Sequence, residues 1–132
     1  MKRFFLLTLA SAALLGASAA PVKTYEVKSP DGRLALVLTA GERLSFTVAR
    51  DGETLVAPSE MALTLSTGEV LGESPRVRSA RRRAVTETID APLYRQSRFD
   101  AAYNELDLRL RGDYGILARA YDDGVCYRFY TE

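Results

Sequence analysis

Glu105-Leu106-Asp107-Leu108-Arg109-Leu110-Arg111 alternates charge and leucine, and a period of two is the spacing of a β-strand with one buried and one polar face. Leu106, Leu108 and Leu110 are expected to face a core. Glu105, Asp107, Arg109 and Arg111 are expected to form an alternating-sign solvent surface. Downstream, Gly112-Asp113-Tyr114-Gly115 turns the chain into a strand over Ile116–Tyr121, and Asp122-Asp123-Gly124 turns it into another over Val125–Tyr130. That last strand is apolar or aromatic on both faces, so it is expected to be central and covered on both sides.

Upstream, the same period recurs. Tyr25–Lys28 reads as a short opening strand, and Ser29-Pro30-Asp31-Gly32 as a turn. Leu34, Leu36 and Leu38 share one face; after a turn at 40–42, so do Leu44, Phe46 and Val48. Asp51-Gly52 is a type I′ hairpin signal, because that turn needs positive φ at both positions. Its return strand is expected over Thr54–Ala57, ended by Pro58. Met61, Leu63 and Leu65 alternate again, and 84–89 is a plausible strand before Pro92. Stretches 72–83 and 93–102 carry no clear period. With seven to nine strands about ten residues apart and no helical stripe after residue 20, the fold class is all-β, an antiparallel β-sandwich or barrel in one unit.

At 132 residues the chain suffices for one domain and is too short for two. Its 18 basic and 17 acidic residues imply no strongly charged partner, and hence no nucleic acid. With no histidine, no Ser-His or Cys-His nucleophile pair and no histidine-ligated zinc can form. A lone Cys126 excludes an internal disulfide and reads as a small buried hydrophobe.

Residues 1–19 read as a secretory signal peptide. Lys2 and Arg3 precede an apolar stretch from Phe4 to Leu15, and Ala17-Ser18-Ala19 is an A-x-A cleavage site. The stretch is shorter than the ~20 residues a membrane span needs. Cleavage near Ala19 would leave residues 20–132 as a domain with 16 basic and 17 acidic residues, periplasmic or secreted, with no membrane span.

Four constellations invite a chemical reading. Glu105 and Asp107 point to one side of a strand, roughly 6.5–7 Å apart at Cα, near the spacing of paired carboxylates in sugar hydrolysis; Arg109 and Arg111 on the same side favour a plain polar face. Asp122-Asp123-Gly124 lacks calcium-loop spacing and reads as a turn. Arg76, Arg78, Arg81, Arg82 and Arg83 could bind anions, but flanking Glu73 and Glu87 favour a solvated loop or a face meeting another domain. Six of seven tyrosines lie between 94 and 130, which could offer sugar a stacking platform or simply fill a core. None of these assembles a catalytic, cofactor-binding or metal site.

Three stretches together resemble the N-terminal domain of the family 97 glycoside hydrolases, exported bacterial α-glucosidases and α-galactosidases. They are Tyr25-Glu26-Val27-Lys28-Ser29-Pro30-Asp31-Gly32, Tyr103-Asn104-Glu105-Leu106 leading into Asp107–Leu110, and Tyr121-Asp122-Asp123-Gly124-Val125-Cys126-Tyr127-Arg128-Phe129. The resemblance implies part of a galactose-mutarotase-like super-sandwich that packs against a catalytic (β/α)8 barrel absent from these 132 residues. It places the acid/base carboxylates and calcium mainly on that barrel, so the full-length enzyme, not this chain, is expected to hold calcium and the chain alone is expected to be inactive. Asp31, Gly32, Asp123 and Gly124 match as turn residues and Tyr127 and Phe129 as packing, while Cys126 stands where a small or aliphatic residue is expected. The competing expectation is a stand-alone periplasmic module that binds oligosaccharide or another envelope component.

Overall fold

The computed structural model describes residues 21–131; the expected signal peptide, residues 1–19, lies outside them. The described residues form ten strands and no helix. β1 (Lys23–Lys28), β2 (Leu34–Ala40), β3 (Leu44–Arg50) and β4 (Glu53–Glu60) make one antiparallel meander. β5 (Leu63–Thr64) and β6 (Val70–Leu71) form a small ribbon. β7 (Val77–Asp90), β8 (Arg98–Leu110), β9 (Tyr114–Ala120) and β10 (Val125–Thr131) make the second sheet, in the order β10-β9-β8-β7.

The two meanders face each other as a sandwich, and the alternation expected from sequence supplies its core. Leu36, Leu38, Leu44 and Val48 from the first sheet meet Leu106, Leu108, Leu110, Ile116 and Ala118 from the second. The Asp51-Gly52 hairpin adopts positive φ at both residues, 51° and 84°, as a type I′ turn requires. Arg33 closes it with two guanidinium hydrogen bonds to the Asp51 carboxylate, at 3.0 and 2.7 Å.

Several strands depart from expectation. β4 runs through Pro58 to Glu60, because an edge strand tolerates the missing N–H. Of the Met61, Leu63, Leu65 run, only Leu63–Thr64 is strand. The stretches without a clear period run into the two longest strands, β7 from Val77 and β8 from Arg98. Their outer halves, from Thr86 to Ala102, pair only with each other and project beyond β9, which reaches β8 only at Asn104–Arg109. A two-stranded arm has no core face to bury, which removes the alternation a sequence reading depends on. Its far end exposes Ile89, Leu93, Tyr94 and Phe99.

β10 is likewise not central: it is the edge strand of its sheet, and Cys126 is exposed rather than buried. Val125, Tyr127 and Phe129 point between the sheets, where Tyr127 packs on Phe46 of β3 with ring centroids 5.2 Å apart.

Candidate functional site

The strand register sets the outward-facing residues of the second sheet in rows. Arg83, Glu105 and Arg119 are direct cross-strand neighbours on β7, β8 and β9. The next row along holds Arg81, Asp107, Leu117 and Arg128. Of the arginine cluster, Arg78, Arg81, Arg82 and Arg83 therefore lie in a strand and not a loop, Arg76 just before it, with Arg81 and Arg83 on the outer face. Arg82, between them, turns the other way and donates its Nε–H to the Glu26 carbonyl at 3.0 Å.

Glu105 corrects the expectation of a solvent surface: it is 2% exposed. One carboxylate oxygen accepts the Nε–H of Arg83 at 2.5 Å, the other that of Arg119 at 2.8 Å. Burial alone would raise this carboxyl, but the two guanidinium hydrogen bonds outweigh it and hold the group below its ordinary value. Arg119 in turn lies over the Tyr103 ring, 4.5 Å from its centroid. Tyr103 is buried against Tyr121 and donates its hydroxyl to Glu87 at 2.8 Å; burial, then that bond, pushes the phenol up.

Asp107 is engaged from the opposite side. Tyr130, on β10, donates its hydroxyl to Asp107 on β8 and so must cross β9. It crosses at Gly115, where a Cβ would lie 2.5 Å from the Tyr130 ring and hydroxyl. The bare glycine is what lets the ring lie flat on the sheet. Asp107 also faces the Arg109 guanidinium at 3.6 Å. Glu105, and Asp107 beside it, thus act as counter-ions in a network, and Glu105 is kept ionised where a general acid would need its proton.

The three sequence stretches singled out above meet at one end of the sandwich. Asn104 donates its side-chain amide to the Lys28 carbonyl at 2.8 Å, Tyr103 packs on Tyr121, and the Asp31 N–H donates to the Asp122 carboxylate at 2.9 Å. The Ser29–Gly32 turn is fixed internally: Ser29 Oγ accepts from Leu34 N–H and donates to Asp31, whose carboxylate also accepts the Arg33 N–H. The Ser29 bond, then the Arg33 amide, hold the Asp31 carboxyl low. The Asp122-Asp123-Gly124 turn is closed by Tyr121 N–H on Gly124 C=O at 2.8 Å. Each stretch is weak alone because its partner lies up to 91 residues away. Together they latch the two sheets.

Among the tyrosines, Tyr103 and Tyr114 are buried, and Tyr127 packs between the sheets. Tyr94, at the end of the β7–β8 arm, is exposed, and Tyr127 is 39% exposed despite its contact with Phe46. Sequence reasoning missed Arg119 and Tyr130 as members of the network, since cross-strand register is invisible in one strand. An acidic strand flanked by arginine-bearing strands was the available signal.

The described residues thus form an antiparallel β-sandwich with a latched end and an arginine-rich outer face. The family model for the glycosyl-hydrolase 97 N-terminal domain matches residues 27–132, and the chain belongs to that family. It is 37% identical over 110 residues to a retaining alpha-galactosidase of Bacteroides thetaiotaomicron, covering 83% of this chain and 17% of that protein. Among solved structures it is similar to glycoside hydrolase family 97 enzymes from Pseudoalteromonas sp. strain K8, one in complex with panose and one with acarbose. Each superposes with a TM-score of 0.72 at 17% identity over 81% of this chain and 17% of the enzyme. The chain thus spans about a sixth of the length of these relatives.

Proposed function

We propose that this chain is the non-catalytic N-terminal β-sandwich of an exported glycoside hydrolase acting on α-glycosides, and that it packs against and supports a catalytic (β/α)8 barrel outside these 132 residues. The observation that carries the reading is the pairing of a family match over residues 27–132 with coverage of only 17% of a retaining alpha-galactosidase. The geometry supports a supporting role. Both oxygens of Glu105 are spent on arginines and Asp107 on Tyr130, so the outer face offers rigidity rather than a proton donor. The apolar end of the β7–β8 arm is surface to be covered by another domain.

Calcium, which the family resemblance implies, is expected in the complete enzyme. Its ligands are expected on the catalytic barrel, outside these 132 residues. The Met1–Ala19 leader and its A-x-A motif support a periplasmic or secreted product. Oligosaccharide would be held by the assembled enzyme.

The test is turnover of aryl α-galactosides and α-glucosides by the 132-residue chain and by the complete product of its gene. The complete product is expected to be active and the chain inactive. Turnover by the chain alone would overturn the proposal.

A further inference from the structure

The latch ties the two sheets together at one end of the sandwich. At the other end they part around a cleft of about 390 Å³, whose lining includes Pro21, Lys23, Pro75, Arg76, Val77 and Arg111. Asn104 in the latch and Arg111 at the cleft stand roughly 23 Å apart along an extended strand. Lys23 opens β1, Arg76 directly precedes β7, and Arg111 directly follows β8. The Arg111 N–H donates to the Arg76 carbonyl at 2.9 Å, so the two arginines stand on adjoining strand ends of the second sheet. Lys23 comes from the first sheet, where it pairs with Ala40 of β2.

Three cations from both sheets therefore line one cleft, and no carboxylate lines it with them. Elsewhere on the surface Arg33, Arg43, Arg83 and Arg119 each hold a carboxylate, whereas Lys23, Arg76 and Arg111 form no ion pair among the described residues. The acids nearest in the chain are turned to other partners. Glu73 faces Arg43 at 3.8 Å, Glu42 acts on the same guanidinium, and Asp113 faces Arg78 at 3.8 Å. Like charges gathered around a cleft repel one another and draw in an anion that offsets the repulsion.

We propose that this cleft is a binding site for a phosphate monoester. Two guanidinium forks match the oxygens of a tetrahedral oxyanion, and the Lys23 ammonium adds a point charge. Three positive charges are better balanced by a phosphate dianion than by a carboxylate. The cleft is within the size range of small-molecule sites, and Pro21, Pro75 and Val77 supply apolar wall for the carbon group that carries the phosphate. Bound there, the phosphate bridges β1 to the adjoining ends of β7 and β8, as the latch joins the sheets by hydrogen bonds at the opposite end. The site is built from the described residues alone and does not depend on the proposed function.

Binding measurements on the complete product of the gene, at constant ionic strength, test this. The probes are inorganic phosphate, glycerol phosphate, and phosphatidylcholine vesicles with and without phosphatidic acid. Expected is saturable binding of glycerol phosphate, with inorganic phosphate weaker, and a loss of about tenfold in each of Arg76→Gln and Arg111→Gln. Arg81→Gln removes an exposed arginine outside the cleft and should leave binding unchanged. None of the three variants should lower the unfolding midpoint without ligand. Binding only to vesicles that carry phosphatidic acid, weakened by the same two cleft variants, would support the site and place its phosphate on a lipid. No binding of any probe, inorganic phosphate held as tightly as the ester, binding unmoved by Arg76→Gln and Arg111→Gln, or equal weakening by Arg81→Gln would overturn the proposal.

Discussion

Substituting Glu105 by Gln tests whether the outer face is held by the double arginine clamp. Gln keeps the size of the side chain but removes the charge and turns one acceptor into a donor aimed at a guanidinium. The two partners are unequal: the Arg83 side chain is 65% exposed and Arg119 30%, the latter fixed over Tyr103. Arg83 can return to water, so its share is small. A hydrogen bond to a charged group contributes about 1.5–3 kcal/mol; counting chiefly the Arg119 bond gives a loss of about 2 kcal/mol, or roughly 10 °C in Tm for a domain of this size. The assay is urea and thermal unfolding at neutral pH, followed by circular dichroism. The order of loss should be Glu105→Gln and Arg119→Ala well above Arg83→Ala. The difference should also depend on pH. Because the native Glu105 carboxyl lies below its ordinary 4.5, its contribution is complete above that value and fades as pH falls through the native one, where wild type and Glu105→Gln converge. Equal losses for Arg83→Ala and Arg119→Ala, or a Glu105→Gln effect unchanged in acid, would refute the reasoning.

Glycine substitutions separate strain from contact. Gly72 has φ +101° and a Cβ there would lie 2.3 Å from the Met61 carbonyl oxygen, whereas Gly52 at φ +84° has nothing within 4 Å. Gly72→Ala is therefore expected to cost about 3 kcal/mol or more and Gly52→Ala about 1 kcal/mol in urea unfolding. Gly115→Ala should dislodge Tyr130 from Asp107, so a double-mutant cycle with Tyr130→Phe should show coupling of roughly 1 kcal/mol; additivity would contradict the crossing. The Ser29 hydroxyl and Arg33 amide hold Asp31 low, and the Arg33 guanidinium does the same for Asp51. Both contribute above ordinary carboxylate values and lose that contribution as pH falls through their lowered native ones, so Asp31→Asn should flatten the acid limb of a stability profile. Leu93→Ser with Tyr94→Ser, at the arm's exposed end, should leave stability within about 0.5 kcal/mol yet loosen the arm in the complete enzyme, read as faster proteolysis between Asp90 and Arg98.

The core was legible because period two marks any strand with one dry face: Leu34, Leu36, Leu38, Leu106, Leu108 and Leu110 are all buried as read. The hairpin at Asp51-Gly52 was legible for a different reason, since its chemistry is local. Of the β7–β8 arm, the β7 side was read as a strand over 84–89, but the β8 side from Arg98 to Ala102 was not, because neither face of the arm is buried and no alternation is selected. β10 was misplaced by a sound rule: a strand apolar on both faces usually lies inside a sheet, but among the described residues β10 pairs with β9 alone. Glu105 looked solvated because its own strand alternates acid and arginine. Its burial comes from Arg83 and Arg119, 22 and 14 residues away, through a register that one strand cannot disclose. The three family stretches were legible as a set, and the structure supplies the reason: they are the two ends of one latch.

The most direct test of the central claim is the DNA sequence downstream of the Glu132 codon. An open frame running on into alternating strand and helix patterns, with carboxylates at strand ends, is the result expected of the N-terminal part of a glycoside hydrolase. A stop codon directly after Glu132 would contradict it and leave a sandwich that stands alone.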